Sequence, residues 1–415
     1  MGWIGSGVDA LLPAGPLRDL LVDGIIGGVG AVIVFLPNIM ILYLFISFME
    51  DSGYLARAAF IMDRVMHRIG LHGKSFIPLI MGFGCNVPAI MACRTIESRS
   101  SRLITILITP FMSCSARIPI YLLLAGTFFA ADASMVMIGL YVLGVVLAVV
   151  TARLMRRFMF PVDETPFVME LPPYRLPTWK TTLTHMWDKC AQYLRKMGGM
   201  ILIASMVVWF LSYYPRSEEG GTAVHYENSY LGRLGQSCAP IFSPLGLNWK
   251  AGVALLSGVP AKEIVVSTLG VLYSDGGEAA TAPGAGTTEI VTGSGEKIEI
   301  GNLPEGSIAI IGGVDGQTAI RIAENTDAQV GKVTELAGED EETVNLSRKL
   351  LASGDFTQAS ALAFLVFILL YFPCIATIAA IGAEAGWKWA TAAVAYNTVL
   401  AWVVAWAVYR LFMWL

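Results

Sequence analysis

Charge is scarce in this chain. Charged residues make up only 14% of it, against 55% hydrophobic residues. A soluble protein of ordinary composition carries roughly 25% charged residues, so the balance excludes a soluble globular enzyme and indicates a polytopic membrane protein. Histidine is almost missing. His67, His72, His185 and His225 all fall outside the most apolar runs, which leaves no imidazole to act as a ligand at membrane depth. The six cysteines form no CxxC pair and no zinc spacing. Cys85, Cys93 and Cys114 lie in or beside apolar runs, which argues against a disulfide framework. The first twelve residues lack the basic stretch of a signal peptide. Gly70-Leu-His-Gly73-Lys74-Ser75 ends like a phosphate-binding loop, but position 68 is Arg68 rather than glycine and no strand precedes it. A P-loop is thereby excluded. No dinucleotide fingerprint or hydrolase triad stands out.

What the chain does contain is a series of apolar runs near the twenty residues a membrane-crossing helix needs. The expected spans are Val22–Met49, Leu103–Ala130, Ser134–Ala152, Met197–Tyr214, Ala251–Tyr273, Ala359–Ile381 and Trp389–Trp414. Phe76–Cys93 is apolar but short and holds Pro78, Gly82, Gly84 and Pro88, so it reads as a broken or re-entrant segment. Glycines 24, 27, 28 and 30 make the first span a close-packing helix. Three basic groups, at 57–74, 94–102 and 153–196, fall on the cytoplasmic side by the positive-inside rule, with the N-terminus outside. The Arg-dotted run Tyr54–Ile69 fits an amphipathic helix at the inner surface.

The fold class expected is therefore an all-α polytopic membrane protein with two repeats of broken or re-entrant helices and a small soluble insert. The first membrane half and the start of the second repeat occupy 1–273, the insert 274–355, and the end of the second repeat with the C-terminal helices 356–415. Across the insert, acids outnumber bases by 15 to 5. Lys297-Ile-Glu-Ile and Ser307-Ile-Ala-Ile alternate like short strands, and the stretch around Thr334–Leu351 reads as helical. The repeat rests on Val87-Pro88-Ala89 recurring as Val259-Pro260-Ala261, and on Cys114 recurring as Cys374. The two offsets, 172 and 260, differ by 88, close to the length of the insert. Paired broken segments in two halves point to a transport site at their interface. A strict repeat would make Ala251–Tyr273 re-entrant like Phe76–Cys93. The adopted reading lets it cross, which places the C-terminus inside.

Each broken segment sets a donor beside a proline, which frees a backbone carbonyl where lipid cannot solvate it. Cys85 and Asn86 precede Pro88. Ser113, Cys114 and Ser115 lie between Pro110 and Pro119, and Cys374 and Thr377 follow Pro373. These seven are the candidate metal ligands. A buried cysteine serving only as a small hydrophobe is the plain alternative for any one of them, and for Cys93 that alternative is favoured. Thiol, carbonyl and hydroxyl together suit a borderline divalent cation such as Fe²⁺ better than Mg²⁺ or Ca²⁺. Arg117, Lys262, Glu263 and Glu50 are candidate gating or coupling residues, with Glu263 or Glu384 as possible partners for Arg117. A charge at membrane depth costs about 2.5–3.5 kcal/mol on insertion scales, so Arg117 faces protein or water.

At these residues the chain resembles the membrane part of the ferrous iron transport protein B family. The matching strings are Leu21-Val-Asp-Gly-Ile-Ile-Gly-Gly-Val-Gly-Ala, Glu50-Asp-Ser-Gly-Tyr-Leu-Ala-Arg-Ala-Ala-Phe, Gly82-Phe-Gly-Cys-Asn-Val-Pro-Ala-Ile-Met-Ala, Pro110-Phe-Met-Ser-Cys-Ser-Ala-Arg, Gly258-Val-Pro-Ala-Lys-Glu-Ile-Val-Val and Leu370-Tyr-Phe-Pro-Cys-Ile-Ala-Thr. The resemblance implies Fe²⁺ transport across the bacterial inner membrane by a multi-pass protein with two gate repeats, and it implicates Cys85, Cys114 and Cys374. The partners it implies are a GTP-binding domain or subunit, small cytoplasmic accessory proteins and the lipid bilayer. A homo-oligomer is compatible with it, and no nucleic acid is expected. Family members begin with a GTP-binding domain, a helical linker and a first transmembrane helix, none of which is in this sequence. The chain therefore reads as a split gene product, a truncation or a fragment. It is expected to be a transporter core rather than an enzyme, with GTP acting only through a domain outside the chain. The alternatives are transport of a nucleoside or another divalent metal on the same core, and a membrane-embedded subunit that senses metal or redox state.

Overall fold

The structure is a computed structural model that describes residues 18, 21, 24, 26–159, 174, 177–215, 227–274, 290–291, 297–298 and 341–414. It is helical throughout apart from one pair of two-residue strands. In the first half, α1 (Gly27–Asp51) bends by 80° into the amphipathic α2 (Tyr54–Ile69), the turn being made at Gly53 in the left-handed region (φ +76). Two short helices follow, α3 (Phe76–Gly84) and α4 (Asn86–Ala92), then α5 (Arg99–Ile108), α6 (Ile118–Phe128) and the long α7 (Ala133–Phe158). The second half repeats the order. Helix α8 (Trp179–Tyr193) runs through a π-turn into α9 (Gly199–Tyr213), followed by α10 (Tyr230–Phe242), short helices α11 (Trp249–Ser257) and α12 (Ile264–Ser274), then α14 (Gln358–Leu370), α15 (Ile375–Ala385) and the long α16 (Trp387–Trp414).

The halves agree in their local chemistry. Gly70 ends α2 and Gly246 ends the turn after α10, both with positive φ. His72 Nδ1 then accepts from Lys74 N–H (3.2 Å), and Asn248 Oδ1 accepts from Ala251 N–H (3.0 Å), so each caps the next helical stretch. Burial holds the His72 imidazole below its ordinary range, which keeps that nitrogen free to accept. Ser98 caps α5 through Ser101 N–H, and Thr357 caps α14 through Ser360 N–H.

Broken helices lie inside and unbroken ones outside. The most apolar windows of Arg99–Phe128 and Gln358–Ala385 are 72% and 78% buried, whereas those of α7 and α16 are only 22% buried. The buried stripe of α7 is Leu140, Gly144, Ala148 and Ala152, and that of α16 includes Ala390, Ala393, Ala401 and Ala405. Lipid supplies no hydrophobic drive between helices, so small residues that let backbones approach closely carry this packing. Helix α4 packs on α15 and α6 on α12, each contact joining the two halves.

Among the described residues, four helical stretches are long and apolar enough to cross a membrane, or up to six if each bent pair counts as one span. The expected seventh, Ala251–Tyr273, is not one helix. It breaks at 258–263 into α11 and α12, because Pro260 cannot continue the backbone ladder. It is the counterpart of α3–α4, as the strict repeat requires. Leu103–Ala130 and Ala359–Ile381 are also interrupted, at 109–117 and 371–374. Of the acidic insert, the described part is an antiparallel strand pair with Ile290 opposite Ile298 (β1, Ile290–Val291; β2, Lys297–Ile298) and helix α13 (Glu341–Ser353), which packs on α12 and α6. The strand expected at Ser307-Ile-Ala-Ile lies outside the described residues.

Candidate functional site

The interruptions of the broken helices meet around one cavity of about 290 Å³. In the first repeat, Cys85 is extended (φ −153, ψ 130) between α3 and α4. Asn86 is buried beside it, and the carbonyls of Gly82 (3.1 Å) and Thr109 (3.2 Å) next to its side chain assign the amide nitrogen to that side. Between α5 and α6 the chain makes two 3₁₀ turns around extended residues, and Ser115 Oγ donates to Gly84 O (3.0 Å). That bond ties the second interruption to the first. The other half is tied in the same way, by backbone: Ile375 N–H donates to Val259 O (3.0 Å).

The cavity lining takes Cys85 and Asn86 from the first break, Cys114, Ser115 and Arg117 from the second, Pro260, Lys262 and Glu263 from the third, and Cys374 and Thr377 from the fourth. Thus six of the seven candidate ligands and three of the four candidate gating residues converge. Cys374 Sγ and Thr377 Oγ1 stand 3.2 Å apart. Ser113 is not among the lining residues; it is buried, and its hydroxyl donates to Tyr121 OH (3.2 Å). Cys93 is buried with its thiol on Ala89 O (3.4 Å), in keeping with a packing role. Glu50 lies elsewhere, on a second cavity of about 450 Å³ with Lys74, Arg94 and Lys189, and it pairs with Lys189 (2.6 Å).

Arg117 is 1% exposed and Lys262 is 3% exposed. The expected pairing of Arg117 with Glu263 or Glu384 is not made. Its guanidinium donates to Pro110 O from both Nη atoms and to Met112 O from Nη1, all at 3.3 Å. These carbonyls lost their helical partners at the interruption, and the guanidinium fork satisfies them. Glu384 is held instead by Arg94 in a two-pronged ion pair. Lys262 Nζ donates to Phe372 O (3.0 Å) and sits 3.1 Å from the centre of the Tyr371 ring.

Asn38 and Tyr193 also line the cavity and were not anticipated. Pro37 inside α1 is the signal that marks Asn38. Among the described residues no three His, Cys, Asp or Glu stand close enough to hold a metal ion.

The fold and cavity define an all-α, multi-pass membrane protein of the gate type, with paired broken helices around a central site. The gate family, described as nucleoside recognition, matches residues 32–128 and 194–388, and the ferrous iron transport protein B C terminus family matches 137–189. The chain is 49% identical, over 99% of its length and 46% of the relative's, to the Fe(2+) transport protein A/Fe(2+) transporter FeoB fusion protein of Porphyromonas gingivalis. It is 41% identical to the Fe(2+) transporter FeoB of Methanocaldococcus jannaschii, covering 94% of the chain and 49% of that protein. It is 39% identical to the Fe(2+) transporter FeoB of Staphylococcus aureus, covering 95% and 49%. The chain spans about half the length of these curated relatives. It belongs to the ferrous iron transport protein B family. No solved structure matches it.

Proposed function

We propose that this chain is the permeation core through which Fe²⁺ crosses a bacterial inner membrane. The observation that carries the reading is the convergence of Cys85, Cys114 and Cys374, from three separate interruptions, on one cavity between the two halves. Thiol sulfur with carbonyl and hydroxyl oxygen suits a borderline cation, and relatives over nearly the whole chain are named Fe(2+) transporters. The core works without chemistry of its own. A GTP-binding domain or subunit biases its open and closed populations, and a small accessory protein joins it, as the name of the Porphyromonas fusion protein supports. The gate family's description favours a second reading, a nucleoside substrate on the same core.

The test is Fe²⁺ uptake into proteoliposomes holding this chain, beside Cys85→Ser, Cys114→Ser and Cys374→Ser. Wild-type uptake reduced at least tenfold in each variant is the expected result. Uptake of a labelled nucleoside that is indifferent to the three substitutions would replace iron with the second reading.

A further inference from the structure

We propose that Lys262 is a tethered cation seated in a binding site for the transported ion, so that the ion and the ammonium compete for the carbonyl of Phe372 and the ring face of Tyr371. The inference rests on the reading of the cavity as a cation path. Lys262 Nζ is 3.0 Å from Phe372 O and 3.1 Å from the Tyr371 ring centre. A carbonyl oxygen and an aromatic face are both cation ligands. The Tyr371 hydroxyl is buried without a hydrogen-bond partner, so this tyrosine serves the site through its ring. Among the described residues no carboxylate stands within ion-pairing distance of Lys262. The ammonium is thus held by the same kind of donors an entering cation would use, and Cys374, Thr377 and Glu263 line the same cavity.

The other half shows why this cation, and not its counterpart, is the displaceable one. Met112 and Phe372 are equivalent positions, related by the same offset as Cys114 and Cys374. Each carbonyl is held by a buried cation. Arg117 holds its interruption with a rigid fork and three hydrogen bonds. Lys262 holds Phe372 with one hydrogen bond, at the end of a flexible four-carbon stem that can withdraw into the cavity. The break at 109–117 is locked and the break at 371–374 is latched.

The test uses the full chain in nanodiscs with Fe²⁺ under anaerobic conditions. Equilibrium dialysis is expected to show at least tenfold tighter Fe²⁺ binding to Lys262→Met than to wild type. In wild type, reductive methylation of Lys262, read by peptide mass spectrometry, is expected to be slow without Fe²⁺ and several-fold faster at saturating Fe²⁺. The methylation arm needs no variant and so survives a misfolded Lys262→Met. Unchanged methylation overturns the proposal even if the variant binds more tightly, because removing any nearby charge would tighten binding without competition. Wild-type proteoliposome uptake separates the two claims. Uptake with unchanged methylation sinks the latch and spares the iron pathway, whereas Fe²⁺-dependent methylation without uptake keeps the site and sinks the pathway.

Discussion

Arg117 stays charged at membrane depth by a route that sequence reading did not foresee. Charge complementarity pointed to an acid, but the partners are carbonyls that only the interrupted backbone creates. A freed carbonyl leaves no residue type behind it, so the pairing was illegible even though Pro110 and Pro119 announced the break. The convergence of Cys85, Cys114 and Cys374 on one cavity was legible because three thiols recur in matching apolar, proline-marked contexts, although any one alone reads as a small hydrophobe. Ser113 was misplaced because its hydroxyl turns into the core to meet Tyr121, a contact no sequence pattern marks, while Cys114 and Ser115 line the cavity. The fork of Arg117 makes a prediction. Arg117→Lys keeps the charge but loses the planar fork and, with Nη2, at least one of the three hydrogen bonds. Hydrogen bonds to charged groups are worth about 1.5–3 kcal/mol each, so the variant should melt several degrees lower in detergent. An unchanged melting temperature would show that the fork does not hold the interruption.

Helix α7 approaches the interruption that follows α5 closely at one glycine. A methyl on Gly144 would lie 2.7 Å from the carbonyl oxygen of Phe111, at the interruption itself. Gly144→Ala must push α7 off the broken segment, an overpacking cost of about 1–3 kcal/mol, and should lower both thermal stability and uptake. Gly139→Ala, five residues earlier on α7 with open space around it, is the matched control and should behave as wild type. If both variants behave alike, the approach at Phe111 is not what positions α7. At this scale the sequence was legible where chemistry and pattern agree. The bounds of α2 follow from Gly53, Gly70 and an amphipathic run between them. The bounds of Ala251–Tyr273 did not, because an average over an apolar stretch cannot tell one crossing helix from two short helices packed on each other.

The whole molecule follows from that correction. If α3–α4 and α11–α12 are both re-entrant, each half makes three crossings and the halves have inverted orientations in the bilayer. Counted from an N-terminus outside, that arrangement predicts the basic run 153–196 inside and the acidic insert 274–355 and the C-terminus outside. The prediction is opposite to the inside C-terminus expected from sequence, and it suits an insert with few Lys or Arg. Alkaline phosphatase fused after Leu415 should be active in cells and a fluorescent protein there should be dark; the opposite pattern would restore a crossing at Ala251–Tyr273. The structure also sets the last residues of two broken segments, one from each half, against each other through Arg94 and Glu384. That pair is half exposed on the Arg94 side, and such a contact is worth only about 1 kcal/mol. Charge therefore contributes little to holding the two halves together here, and the tightness of the join falls to the seam of α4 against α15, whose Ala376, Ala379 and Ala380 are small enough to fit flush.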